Sequence, residues 1–208
     1  MWRVSGSSNC TRNIIRGHKP KGRAVAVEYP VPLTTIQVSE PDMAASKHVS
    51  ETPATQMLKK HKVAYTEHTY DYIDHGGTAE AARQLGVASH AVVKTLILED
   101  EHAKPHVMLM HGDCEVSMKN LARQAGVKKM QPCQAAVAPR HSGYQIGGTS
   151  PFGTRKRMPV WVEQSVLDLP QIYINGGRRG YLLGIDPQVL VALLQAQPVN
   201  VANETRAA

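Results

Sequence analysis

The chain has 208 residues, 42% of them hydrophobic and only 5% aromatic, so it can bury one aliphatic core with some length left over. A formal charge of +7 favours a polyanionic partner, nucleic acid first, although any basic protein would share it. Three widely spaced cysteines with no CxxC pair exclude a disulfide framework and fit a reducing cytoplasm, and no apolar run approaches the roughly 18 residues of a membrane span.

Residues 1–50 show no sustained period and are broken by Pro20, Pro30, Pro32 and Pro41, which predicts a poorly ordered extension. Arg3, Arg12 and Arg16 have no hydrophobic stretch beside them of the kind a secretory signal needs. Met43 opens a run that reads as an ordinary start, so residues 1–42 are expected to be upstream translation or an added leader. Residues 51–200 form the expected domain, and 201–208 a tail.

From Glu51 the pattern is regular. Thr52 as N-cap and Pro53 at the first helical position start a helix in ETPATQMLKKHK. VAYTEHTYDY alternates and predicts a strand. TAEAARQLG predicts a short helix capped by Thr78 and closed by Gly86. AVVKTLILED is a mostly buried strand, and HVMLMHGDCEVS gives one strand and a second after a turn. Ser117 caps MKNLARQAG, which ends at Gly126, and Pro132 starts a short helix in PCQAAVAPR. MPVWVE, QIYING and YLLGI are strands, and Asp186-Pro187 opens a last helix through PQVLVALLQAQ. Short strands with scattered short helices predict an α+β domain rather than a βαβ series.

Three segments carry candidate chemistry. The first is GYQIGGTSPFGTRKRMP, residues 143–159. It is no Walker loop, because Thr154-Arg155 stands where Lys-Ser/Thr is needed, and no GxGxxG fingerprint occurs. Gly147-Gly148 leaves two peptide amides open to close approach and suited to an oxyanion. Thr149 and Ser150 add hydroxyls, and Arg155, Lys156 and Arg157 suit phosphates. A plain glycine-rich turn with a basic flank would read the same way.

The second segment is INGGRRG, residues 174–180, where Gly176-Gly177 precede Arg178 and Arg179, guanidinium forks that match a phosphate. A tight hairpin is its competing reading. The third is Lys94, on the strand face shared by Val92 and Leu96. A buried ammonium is costly without a partner, so it either snorkels out at a sheet edge or points into a polar cleft. No HExxH occurs, so no metal is expected, and no GxSxG elbow occurs. No cofactor is expected. Ser150 is followed by Pro151, a poor setting for an activated nucleophile, and Cys114 and Cys133 lack a His partner in sequence.

In order along the chain, HTY at 68–70, VVKTLIL at 92–98, GYQIGGTSPFGTRKRMP and INGGRRG resemble the YbaK/EbsC family of aminoacyl-tRNA deacylases, in the prolyl-tRNA editing domain superfamily. The resemblance covers about residues 51–200. It implies a single compact domain on a curved mixed sheet with short flanking helices. It also implies hydrolysis of the ester of mischarged tRNA(Pro), Cys-tRNA(Pro) foremost, acting in trans beside prolyl-tRNA synthetase. By position Lys94 matches the essential lysine, and Gly147 the glycine beside the substrate carbonyl. Tyr70 and Thr95 match pocket residues, and Asn175, Gly176 and Gly177 the amino-acid end of the site. Arg155, Lys156, Arg178 and Arg179 would hold acceptor-end phosphates. The family precedent is substrate assistance, in which a cysteinyl thiol or the terminal ribose hydroxyl attacks or directs attack; thiolactone release would make the enzyme a lyase. Two positions depart from the YbaK pattern: Asn175 replaces a serine and Leu182 an aspartate, which leaves Ala, Ser and 2-aminobutyrate open as substrates.

Overall fold

The structure, a computed structural model, describes residues 51–204; the extension at 1–50 and the last residues of the tail lie outside them. Helix α1 (Pro53–Lys60) starts as its signals require. Thr52 Oγ1 accepts from the Thr55 amide at 3.1 Å, and Thr55 Oγ1 accepts from the Thr52 amide at 2.9 Å, a reciprocal cap. Strand β1 is only Thr66–Thr69, shorter than the alternating run. Helix α2 (Gly77–Leu85) begins one residue before the expected Thr78 cap, and the Thr78 hydroxyl donates instead to Gly112 O at 3.1 Å. Gly86 closes α2 with φ +66.

Strands β2 (Val92–Asp100), β3 (Pro105–His111) and β4 (Cys114–Val116) follow, then helix α3 (Met118–Ala125), where Ser117 sits at the cap without a side-chain bond. Pro132 does not open a helix. It ends strand β5 (Met130–Pro132), and helix α4 (Ala138–Ser142) starts later, with Pro139 in its first turn. Strands β6 (Val160–Glu163), β7 (Ile172–Arg178) and β8 (Tyr181–Ile185) lead to helix α5 (Gln188–Leu194). Gln195 takes φ +54 and stops α5 earlier than expected, freeing Gln197–Val199 to become β9; β10 is Ala202–Glu204.

The main sheet runs β1-β8-β7-β2-β3-β6-β9, with β5 also on β2, while β4 and β10 form a separate pair. β2 lies antiparallel to β3 and β5 but parallel to β7, so the sheet is mixed. Side chains alternate across β2. Val93 and Ile97 face the main core with Val107, Leu109, Phe152 and Ile174. Val92 packs on α2 with Ala81, Ala82 and Leu182, and Leu98 packs on α3 with Met108, Met110 and Leu121. Lys94 stands on that second face, between the two smaller clusters. Among the described residues no helix is long and apolar enough to cross a membrane.

Candidate functional site

The main-chain register of β2 opens a gap beside Lys94. Gly112 N donates to Val92 O at 2.7 Å and Asp100 N donates to Lys104 O at 3.1 Å. Every second residue from Val92 therefore turns its peptide groups toward β3, and Val93, Thr95, Ile97 and Glu99 turn theirs to the opposite edge. On that edge β7 pairs as far as Val93↔Ile174 and β5 begins at Leu98↔Pro132, with Cys133 N reaching Ile97 O at 3.0 Å. Thr95 is left outside both ladders. Its Oγ1 points to the main-core face, where it is buried without a partner. Lys94 and Thr95 thus flank the gap from opposite faces.

Lys94 is half-buried and makes no ion pair among the described residues. Burial pulls its ammonium below the usual 10.5, while Cys114, Glu115 and Asp113 pull it part of the way back. The Cys114 thiol is itself pushed up to about 11, by burial first and then by Asp113, so near neutral pH the opposing charge is that of the carboxylates. Tyr70 flanks the site through the α2-side cluster that holds Val92.

Asn175 ties the end of β7 to the glycine loop. The β2–β7 ladder ends at Val93↔Ile174, so Lys94 and Asn175 are the residues that follow its last pair on the two strands. Its Nδ2 donates to Gly147 O at 3.2 Å, and its Oδ1 accepts from Gly177 N at 2.8 Å and Arg178 N at 3.1 Å. Gly147 is exposed, has φ +83, and its amide has no partner among the described residues. A Cβ there would lie 2.7 Å from the Tyr72 hydroxyl, so only glycine gives the loop this approach. Tyr72 is a site residue that motif reading missed, since it follows the HTY triplet with no signal of its own.

Other expected residues have different work. The Gly148 amide donates to Gln145 O at 2.9 Å, so of the two amides expected to meet an oxyanion only that of Gly147 is free. The Thr149 hydroxyl reaches the same carbonyl at 3.5 Å. Ser150 is fully buried and its Oγ accepts from Phe152 N at 3.4 Å, which places it inside the fold rather than against a substrate. Gly176 is buried and its carbonyl accepts from Thr52 Oγ1 at 2.6 Å, while Gly177 packs against Tyr144 and Thr52. This glycine pair forms the β7 bulge and lets α1 approach. Arg179 is tethered: Nε donates to Ile146 O at 2.8 Å, the guanidinium stacks 4.7 Å over Tyr72, and Asp74 lies 3.6 Å away. Arg178 is exposed, with its guanidinium 5.3 Å from the Tyr181 ring centroid. Arg155 and Lys156 are exposed, and Arg155 lines a separate hollow with Arg157 and Met57.

One donor cluster was invisible in sequence. Ligand atoms of His90, Asp113 and Cys114 lie within 4.8 Å of one another and could hold a cation, although 23 residues separate His90 from Asp113. In this structure His90 Nδ1 approaches both Asp113 oxygens, at 3.0 and 3.2 Å, and His90 stacks on His111 at 3.6 Å.

Residues 75–205 match the family model of the aminoacyl-tRNA editing domain. EbsC of Enterococcus faecalis, named as a proposed Cys-tRNA(Pro)/Cys-tRNA(Cys) deacylase, is 29% identical over 74% of this chain and 95% of its own length. Proline–tRNA ligase of Limosilactobacillus fermentum matches at 23% identity over 49% of this chain, but over only 18% of the ligase. Among solved structures, the hypothetical protein APE2540 superposes with TM-score 0.68 at 24% identity, covering 73% of this chain and all 100% of that one. A proposed trans-editing enzyme for prolyl tRNA synthetase superposes with TM-score 0.64 at 21% identity, covering 73% and 95%. Both likenesses show the same fold. The four motifs lie on this shared fold, and the family match takes in all of them but the first; the chain belongs to the aminoacyl-tRNA editing domain family, among the YbaK/EbsC proteins.

Proposed function

We propose that the protein is a trans-editing deacylase that hydrolyses the ester of mischarged tRNA(Pro), with Cys-tRNA(Pro) its foremost substrate. The observation that carries this reading is a half-buried, unpaired Lys94 just past the end of the β2–β7 ladder, where Asn175 of β7 holds the exposed Gly147 peptide. An aminoacyl ester is already activated, so the site needs position and charge more than a nucleophile. In this reading the Gly147 amide donates to the ester oxygen as it becomes an oxyanion, and Lys94 supplies the positive field. Water adds to the carbonyl carbon, the ester C–O bond breaks, and a proton reaches the departing ribose oxygen. The products are the free amino acid and uncharged tRNA. Thr95 and Tyr70 border the gap that receives the amino acid. Likeness to part of a proline–tRNA ligase supports tRNA(Pro) and a working association with prolyl-tRNA synthetase.

The test is hydrolysis of tRNA(Pro) charged in turn with Cys, Ala, Ser and 2-aminobutyrate. Lys94→Ala is expected to fold and to lose turnover on all of them. Wild-type turnover in that variant refutes the site. Tight tRNA binding with no hydrolysis by the wild-type chain would make it a binding module on the same fold.

A further inference from the structure

A hollow of about 520 Å³ lies between α3 and β5, away from Lys94. Four cations line it: Lys119, Arg123, Lys128 and Lys129. All four are exposed, and none is ion-paired among the described residues. Arg123 spends one guanidinium nitrogen on Asn120 Oδ1, at 3.2 Å. The nearby acid is Glu101, and it is turned to the main chain: its Oε2 accepts from the amides of Lys128 and Lys129 at 3.1 and 3.3 Å. That contact holds the loop between α3 and β5 and leaves both ammonium groups for a ligand. Met118 and Met130 lie beneath the charged rim.

We propose that this hollow binds backbone phosphates of the same tRNA whose 3′ end occupies the Lys94 site, so the inference rests on the editing reading. Topology gives the spacing. β5 joins β2 at Leu98–Asp100, and α3 packs on the face of β2 that carries Lys94. Met130, the β5 residue that lines the hollow, pairs with Asp100, and Lys94 and Asp100 are six residues apart on one strand, about 20 Å. A nucleic-acid strand advances about 3.4 Å per nucleotide along a duplex axis, so the hollow stands about six nucleotides from the ester. An RNA entering the gap at Lys94 and running along β2 passes over these four cations. They are distinct from Arg155, Lys156, Arg178 and Arg179, which lie on the glycine loop and the β7–β8 hairpin.

The test uses the full chain and two variants, Lys128→Ala/Lys129→Ala and Lys119→Ala/Arg123→Ala. Binding of uncharged tRNA is measured across a salt series, a readout that needs no catalysis. Each lost phosphate contact is expected to lower the slope of log affinity against log salt by about one. With Cys-tRNA(Pro) the KM is expected to rise about tenfold or more at unchanged kcat. An aminoacylated CCA trinucleotide, too short to reach the hollow, is expected to be hydrolysed at the wild-type rate. If affinity and salt slope stay at wild-type values in both variants, the proposal is overturned and the hollow belongs to an acidic protein surface instead. If the wild-type chain hydrolyses nothing, the editing reading fails, while the salt series still decides whether these cations bind RNA.

Discussion

Asn175 does two jobs that substitution can separate. Its Oδ1 holds the β7 bulge through Gly177 N at 2.8 Å and Arg178 N at 3.1 Å, and its Nδ2 holds the glycine loop through Gly147 O at 3.2 Å. A hydrogen bond of this kind contributes about 0.5–1.5 kcal/mol net, and at a half-exposed site water recovers part of that. Asn175→Ala, which removes all three, is expected to lower the unfolding free energy by about 1–3 kcal/mol. Asn175→Asp keeps the acceptor and strengthens it with charge, but it loses the donor and sets an anionic oxygen against the Gly147 carbonyl. Its stability should stay near wild type while the loop is released. Because a displacement of about 1 Å can cost around 10²-fold in rate, Asn175→Asp should lose at least tenfold in turnover. Asn175→Ser restores the residue of the YbaK pattern; its shorter hydroxyl can hold the bulge amides but does not reach the loop as well, so it should fall between the two. Urea unfolding gives the stabilities, single-turnover deacylation the rates, and hydrogen exchange at Gly148 reports the loop, because that amide is bonded within it to Gln145 O. If Asn175→Asp leaves both loop exchange and turnover unchanged, Asn175 is not the anchor and the route from Lys94 to Gly147 is broken.

Four further outcomes are expected. Burial holds Lys94 below the usual 10.5, so if its ammonium form is required, deacylation falls as pH rises through that lowered value; Lys94→Arg should carry the alkaline limb to higher pH, read after subtracting spontaneous hydrolysis. The same shift makes stability rise with pH between the lowered and the ordinary value, because there the unfolded chain binds more protons, and Lys94→Ala should flatten that slope in urea midpoints. In Gly176→Ala the new Cβ would stand 2.5 Å from two ring atoms of the fully buried Tyr181, an overpacking worth about 1–3 kcal/mol that should lower the thermal midpoint; an unchanged midpoint means the bulge relaxes freely. Arg179→Ala should lower kcat without altering the salt dependence of tRNA binding, as a loop tether would; a slope lower by about one at constant kcat would make Arg179 a phosphate contact instead.

What could be read from sequence was whatever local chemistry decides. Thr52-Pro53 opens a helix, and the glycines at 86 and 126 close helices, by rules that act over four residues, and they hold. Lys94 stood out because its strand is otherwise mostly apolar from Ala91 to Leu98. Strands β5, β9 and β10 were not legible: each has three residues and exists only through its partner strand, Met130–Pro132 by pairing with β2 rather than by its own pattern. The same limit applied at the site. INGGRRG reads as a cationic glycine turn, yet Gly176 is spaced for Tyr181 and Thr52, and Arg179 is occupied by Ile146 O and Tyr72. The gap at Thr95 depends on where two other strands stop, which no periodicity in β2 records.

The second departure from the YbaK pattern predicts an order among substrates. Leu182, where that pattern has an aspartate, is 4% exposed, pairs with Asn175 across the β7–β8 hairpin, and packs on Ala81, Ala82 and Val92. A carboxylate would be costly in that cluster. In this chain the negative field on Lys94 comes instead from Glu115, within β4, and Asp113, in the turn before it. The α2 side of the gap is therefore apolar. An apolar wall discriminates weakly, by about 10–200-fold for a methylene and about 10²-fold against an added hydroxyl. Cysteinyl and 2-aminobutyryl esters of tRNA(Pro) should therefore be cleared faster than seryl esters, by about 10–100-fold in kcat/KM. Leu182→Asp should narrow that gap by offering a partner to the serine hydroxyl, provided urea unfolding shows that the variant still folds. Equal clearance of Ser- and Cys-tRNA(Pro) by the wild-type protein would show that the Leu182 wall does not touch the amino acid, and would move the specificity pocket to the Thr95 face of the sheet.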